Sequence, residues 1–337
     1  MTTRITMSTI VAALLALGSA LAAPAASAQT SGGATAPPST PGGPPAWAYP
    51  WAPEFLFPAP DDVPRRLPGS NAAFSWVQAR DLCFAPSWHP EDHPPMPEVV
   101  ARGRKPDVRA CGSCHRAEGT GGPESASLAG LPAAYFVQQI ADFKSGARKS
   151  SVPTRGSVVL MTAVAKAMSD EEVHAAAAYF ASLKPRQLIK VVESDSAPKT
   201  FVARLLLAKI PQGGTEPLGR RIVEVPDDLD QFELRDSRSL FTAHAPLGSV
   251  ARGEVLVKTG GQGTTVPCTA CHGAGLQGVA PIPGIAGRSP SYLMRQLVDI
   301  KNGARAGSGS TQMQAVVANL SEDDMVALVA YAASLPP

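Results

Sequence analysis

The chain has 337 residues, a formal net charge of +2 and 17% charged residues, so no basic footprint for nucleic acid is expected. Its 44% hydrophobic content is ample for a buried core, and its length suits two or three domains. The composition includes five cysteines and 33 prolines. In chain order, residues 1–28 read as a secretory signal peptide: Arg4, an apolar run from Ile10 to Ala23, then the small-x-small site Ala26-Ser27-Ala28. That run is short for a bilayer, and no later segment approaches the ~20 apolar residues of a membrane helix. The mature chain is therefore expected to be exported, periplasmic and without a transmembrane span.

Residues 29–45 are Ser/Gly/Pro-rich and predict a disordered linker. Residues 46–95 carry Trp47, Trp51, Phe55, Phe57, Phe74, Trp76, Phe84 and Trp88, too many aromatics for a free tail. An extended segment packed on the domain that follows is expected, with one helix near Ser70–Leu82. His89, His93 and Met96 in "SWHPEDHPPMPEVV" have the chemistry of copper ligands. The prolines forbid a helix presenting them at regular spacing, and a proline-stiffened loop is the preferred reading. Cys83 is expected to be a buried thiol.

The stretch "VRACGSCHRAEG" places Cys111 and Cys114 three apart with His115 directly after, and "VPCTACHGAG" repeats the pattern with Cys268, Cys271 and His272. A four-thiolate zinc site, or a disulfide framework, leaves the histidine after both pairs unexplained. C-x-x-C-H reads as covalent attachment of a c-type haem, the histidine being placed to bind iron.

The two pentapeptides lie within a longer repeat. An offset of 157 residues, from Cys111 to Cys268, also pairs Tyr135 with Tyr292, Gln139 with Gln296, and "SGAR" at 145–148 with "NGAR" at 302–305. After a gap the offset becomes 152, pairing Met161 with Met313, Ser169 with Ser321 and Tyr179 with Tyr331. "VARG" at 100–103 matches "VARG" at 250–253. Self-similarity at this scale means two related domains. Each reads as a leading helix, the pentapeptide, a middle helix, a methionine loop and a terminal helix. Phe136, Ile140 and Phe143 mark the first middle helix, with Gly146 at its C-terminal end. Leu293, Leu297 and Ile300 mark the second, ending near Gly303. Ser169 with Glu172 is a capping-box pattern opening one terminal helix, and Ser321 opens the other.

An iron held by one histidine needs a sixth ligand or stays open to substrate, and methionine is the usual choice in electron-carrying cytochromes. Met161 and Met313 alone pair under the repeat, in what reads as a loop. Met168 has leucine as its counterpart and reads as core, while Met294 and Met325 fall within helices. Between the repeats, "QLIKVVES", "TFVARLLLAKI", "RRIVEVP" and "SLFTAHAPLG" read as a small β-rich insert over 186–247, although the second run also suits a helix.

With these motifs in this order, the chain resembles the class I cytochromes c, in particular the two-haem type built from two similar lobes. The resemblance covers about 170 residues and adds the "LAG"/"IAG" turn, the Y-x-x-x-Q helix and the S-[DE]-[DE] helix start. It implies an all-α fold of two class I cytochrome c-like helical domains, at 96–185 and 248–337, interrupted by the insert. It also implies two covalently bound haem c groups, with axial pairs His115/Met161 and His272/Met313. In that family a proline carbonyl accepts a hydrogen bond from the proximal histidine; Pro283 fits, whereas the first lobe has Ala126. The expected function is outer-sphere electron transfer between redox partners such as a dehydrogenase, a terminal oxidase or another cytochrome. The alternatives are a dihaem enzyme of peroxidase or thiosulfate-oxidising type, or the haem subunit of a dehydrogenase complex.

Overall fold

The computed structural model describes Met1 and residues 43–55 and 57–337; the expected signal peptide and most of the expected linker lie outside the described residues. The N-terminal segment contains one short α-helix, α1 (Trp76–Arg80), well short of the helix expected near Ser70–Leu82. Ser75 and Gln78 close a reciprocal capping box at its start.

The first lobe comprises α2 (Glu98–Ala101), the paired strands β1 (Gly103–Arg104) and β2 (Val108–Arg109), α3 (Cys111–His115), α4 (Ala133–Ser145), α5 (Gly156–Ala167) and α6 (Asp170–Ser182). Gly146 ends α4 at φ 78°, the left-handed position that glycine takes without penalty. Ser169 and Glu172 form the expected capping box on α6, and Asp170, Glu171 and Glu172 favour the positive end of its dipole. The apolar stripes meet where Phe136 of α4 stacks on Phe180 of α6, at 6.0 Å between centroids.

The insert contains β3 (Ile189–Glu193), β4 (Ser196–Pro198), β5 (Thr200–Ala203), β6 (Leu206–Lys209), β7 (Thr215–Pro217), β8 (Val223–Pro226), the short α7 (Leu229–Glu233) and β9 (Phe241–Ala245). Strands β3, β9 and β8 form one sheet in that order, β3 parallel to β9 and β8 antiparallel to it. Strand β4 pairs with β7, and β5 with β6. "TFVARLLLAKI" is thus the β5–β6 hairpin, its turn made by Arg204 at φ 58°, and not a helix. The chain as a whole is therefore not all-α: the lobes are helical, and strands fill the insert and the β1–β2 ribbon.

The second lobe comprises α8 (Ser249–Thr259), α9 (Thr269–His272), α10 (Pro290–Lys301), α11 (Thr311–Val317) and α12 (Glu322–Ser334). The repeated "VARG" takes two different structures. In the first lobe it spans the end of α2 and enters β1, with Gly103 at φ 67°. In the second it lies inside α8, where a Cβ on Gly253 would sit 2.1 Å from the Ala327 carbonyl oxygen of α12. That glycine lets the two helix backbones meet.

The N-terminal segment reaches further than expected. It does touch the first lobe: Ala85 N–H donates to the Ala101 carbonyl, and Ala110 N–H to that of Leu82. Its start, however, belongs to the second lobe. Trp47, Ala48 and Tyr49 share a core with Leu293, Met294 and Val298 of α10, and the Tyr49 hydroxyl donates to Asp299 Oδ1 at 2.8 Å. Between these ends it docks on the insert, where Trp88 Nε1 donates to the Leu234 carbonyl at 2.7 Å. Cys83 is a free, half-buried thiol, more exposed than expected.

Candidate functional site

Both C-x-x-C-H pentapeptides are short helical turns opening on one continuous cavity of ≈ 1310 Å³. That exceeds the roughly 300–1,000 Å³ of an ordinary small-molecule pocket. Cys111, Cys114, His115, Cys268, Cys271 and His272 all line it, with apolar walls from both lobes that include Phe136, Ile140, Leu276 and Leu293. Burial pushes the free thiol of Cys111 up to about 12 and that of Cys268 up to about 11.

His115 Nδ1 donates to the Ala126 carbonyl at 2.7 Å, and His272 Nδ1 donates to the Pro283 carbonyl at 2.8 Å. A carbonyl can only accept, so each imidazole carries its proton on Nδ1 and keeps the Nε2 lone pair for a metal. Burial lowers both histidines below their ordinary value, which favours the neutral, ligating form. Alanine in place of proline at position 126 leaves this contact intact.

Met161 and Met313 both line the cavity and are half-buried. They stand on helices, α5 and α11, and not in the loops expected. Met168 is buried in the first lobe's core, as expected, and also reaches the cavity wall. Met294 and Met325 are buried core residues.

The tested fit is to two haems. Apolar walls, two pairs of thiols and two oriented imidazoles are what covalently held porphyrins require, and their carboxylates find cations here as well. Arg148, Arg155, Arg288, Arg295 and Arg305 line the same cavity.

Two of those arginines also join the lobes, a role the sequence reading did not assign. Arg148 Nη1 donates to Gln139 Oε1 in its own lobe, while its Nη2 donates to the Tyr292 hydroxyl and Gln296 Oε1 in the other. Arg305 mirrors this, donating to Gln296, Tyr135 and Gln139. Burial pushes the Tyr135 phenol up, but Arg305 and Arg148 outweigh it and hold the group below its ordinary value. The backbone follows the same two-fold pattern: Lys149 N–H donates to the Ala304 carbonyl and Ala306 N–H to that of Ala147. The signal was present in the sequence, since all six side chains pair under the 157-residue offset although none belongs to a haem motif.

The histidine-rich loop assembles no copper site. His89 is fully buried and its Nε2 bonds Asp236 Oδ1 at 3.0 Å. His93 donates from Nδ1 to the Pro94 carbonyl and accepts at Nε2 from the Ser87 hydroxyl, and Met96 packs on the first lobe's core. Glu91 and Asp92 stand near His89, but Arg238 pairs with both and Arg186 with Asp92, so side-chain cations already occupy the place of an ion.

The family model described as cytochrome c matches residues 100–184 and 250–336, one match per lobe. Cytochrome c4 of Pseudomonas aeruginosa is 27% identical over 66% of this chain and 81% of its own length. A protein of Thiomonas intermedia described as a thiosulfate dehydrogenase electron acceptor is 26% identical over 68% of this chain and 81% of its own. Among solved structures, a thiosulfate dehydrogenase from Marichromatium purpuratum aligns with a TM-score of 0.47 at 25% identity, covering 77% of this chain and 40% of that one. Repeat, cavity and family matches agree: the chain belongs to the cytochrome c family as a two-lobed class I member, and it carries two covalently bound haem c groups.

Proposed function

We propose that the chain is an exported, periplasmic dihaem electron carrier, divided as the repeat divides it into lobes at 96–185 and 248–337 around the insert. Cys111 and Cys114 hold one haem through thioether bonds, and Cys268 and Cys271 hold the other. His115 and Met161 would hold the iron of the first haem, and His272 and Met313 that of the second. The observation that carries this reading is that both lobes bring a carbonyl-oriented histidine and a methionine to one cavity. When bound, each haem supplies an iron that cycles between ferric and ferrous forms. The chain's residues would supply both of its protein ligands, exclude water with apolar walls and offer cations to the carboxylates. A histidine and a methionine on each iron would leave no place for substrate, so the chain would serve outer-sphere electron transfer, with partners docking transiently as redox encounters do.

An optical and near-infrared spectrum of the purified holoprotein, with haem counted per chain, tests this. Two low-spin haems with the sulfur-to-iron band are expected. The relatives named for thiosulfate dehydrogenase favour one second reading, in which the chain serves thiosulfate oxidation as acceptor or as enzyme. An enzyme needs an iron that opens, so a high-spin component or ready carbon monoxide binding would replace the carrier reading with the enzyme one, whereas an acceptor is itself a carrier.

A further inference from the structure

Arg155 directly precedes α5, the helix that carries Met161, and its side chain is buried against the cavity. Its Nη1 donates to the Ser157 hydroxyl, its Nη2 donates to the Leu205 carbonyl at 3.1 Å, and its Nε has no partner. Both acceptors are neutral, and no ion pair among the described residues includes Arg155. The charges nearest in effect are Arg295, which repels it, then Glu124 and Asp299, while burial keeps the neighbouring Tyr49 phenol neutral. Neither acid forms an ion pair with Arg155, although Glu124 Oε2 is itself buried without a partner. Glu124 Oε1 lies between Arg116 and Arg235, while Asp299 Oδ1 accepts from both the Tyr49 hydroxyl and the Ser151 N–H. The other repeat has no equivalent, because no lysine or arginine follows Arg305.

A guanidinium does not shed its proton in a protein, and a buried charge without a counter-charge is strongly unfavourable. Arg155 lines the cavity with its Nε unpartnered, so an anion held in the cavity can meet it there. The covalently bound haems bring carboxylates, their propionates. We propose that Arg155 is the counter-ion of a haem propionate in the shared cavity and raises that haem's midpoint potential. The sign follows from charge: an unneutralised propionate disfavours the added electron, and a guanidinium beside it removes that penalty. The inference rests on the dihaem reading, which the haem count checks separately.

The test is spectroelectrochemical titration of the holoprotein, between pH 5 and 8, for the wild type, Arg155→Met and Arg155→Lys, with haem counted in each. In Arg155→Met one couple is expected to lose about tenfold in its reduced-to-oxidised ratio at fixed potential, or about 59 mV for one electron. That couple also becomes pH-dependent as the freed propionate takes up protons, and the other moves much less. Arg155→Lys keeps most of the wild-type behaviour. Should Arg155→Met fail to load haem, Arg155→Gln, which retains a donor for the Leu205 carbonyl, carries the same comparison. Two loaded haems with unchanged potentials and pH profiles would overturn the proposal. Equal shifts in the lysine and methionine variants would overturn it too, since shape and not charge would then be at work. A count below two in the wild type would sink the dihaem reading instead.

Discussion

Removing the two bridging arginines one at a time and then together gives a quantitative test of how the lobes are joined. Arg148→Met deprives the Tyr292 hydroxyl of its donor, but Gln139 and Gln296 keep theirs, because Arg305 donates to both amide oxygens. The loss is therefore about 1.5–3 kcal/mol, the range for hydrogen bonds from a charged group. Arg305→Met is the mirror case, with Tyr135 losing its donor while Arg148 still serves both glutamines. The double variant is different in kind. It orphans both amide oxygens at an interface where Gln139 is 7% exposed, adding about 1–3 kcal/mol for each. Repulsion between the arginines acts in the same direction, since either single variant already relieves it. The double variant should thus lose at least about 2 kcal/mol more than the sum of the singles. Urea unfolding of the four holoproteins, followed by far-ultraviolet circular dichroism and Soret absorbance, measures this coupling. Additive losses, within about 0.5 kcal/mol, would refute the shared-acceptor argument.

Two further outcomes follow from burial and close approach. Glu118 is buried with neither carboxylate oxygen partnered, and burial raises it from 4.5 to about 7. Its folded-state value lies above its unfolded one, so stability falls as pH rises from about 4.5 to about 7, by up to about 3 kcal/mol. Glu118→Gln should remove that slope, and urea midpoints at pH 5 and pH 8 that change equally in variant and wild type would contradict it. Gly253→Ala should cost about 1–3 kcal/mol by forcing α8 away from α12, because the clash is with backbone that cannot rotate aside. A thermal midpoint within a degree of the wild type would show that the helices part freely.

The haem attachment was legible because its chemistry is local: two thiols and an imidazole within five residues, repeated, leave few readings. The caps at Ser169 and Ser321 were legible for the same reason, since a capping box needs only four residues. Met161 and Met313 were singled out by repetition, yet their helical setting was not, because α5 and α11 lack strong caps and the second repeat is five residues shorter there. "TFVARLLLAKI" is continuous enough in hydrophobicity to suit a helix or two strands, and the decision fell to pairing and to the left-handed turn at Arg204. The reach of Trp47 and Tyr49 to α10 depends on contacts nearly 250 residues away, where no local pattern carries information. The Tyr–Gln–Arg sets stood out as repeats, but only their arrangement in space shows that each serves the other lobe.

The contact made by those sets is isologous, with the same patch presented by each half and read by its counterpart in reverse. Two free lobes bearing such a patch would be a dimer in equilibrium with monomers, held together only at sufficient concentration. Joined through β3 to β9 and strapped by the N-terminal segment, they meet instead at an effective concentration fixed by the chain itself. Dilution therefore leaves the spacing of the two redox centres unchanged, and every molecule is already a complete pair.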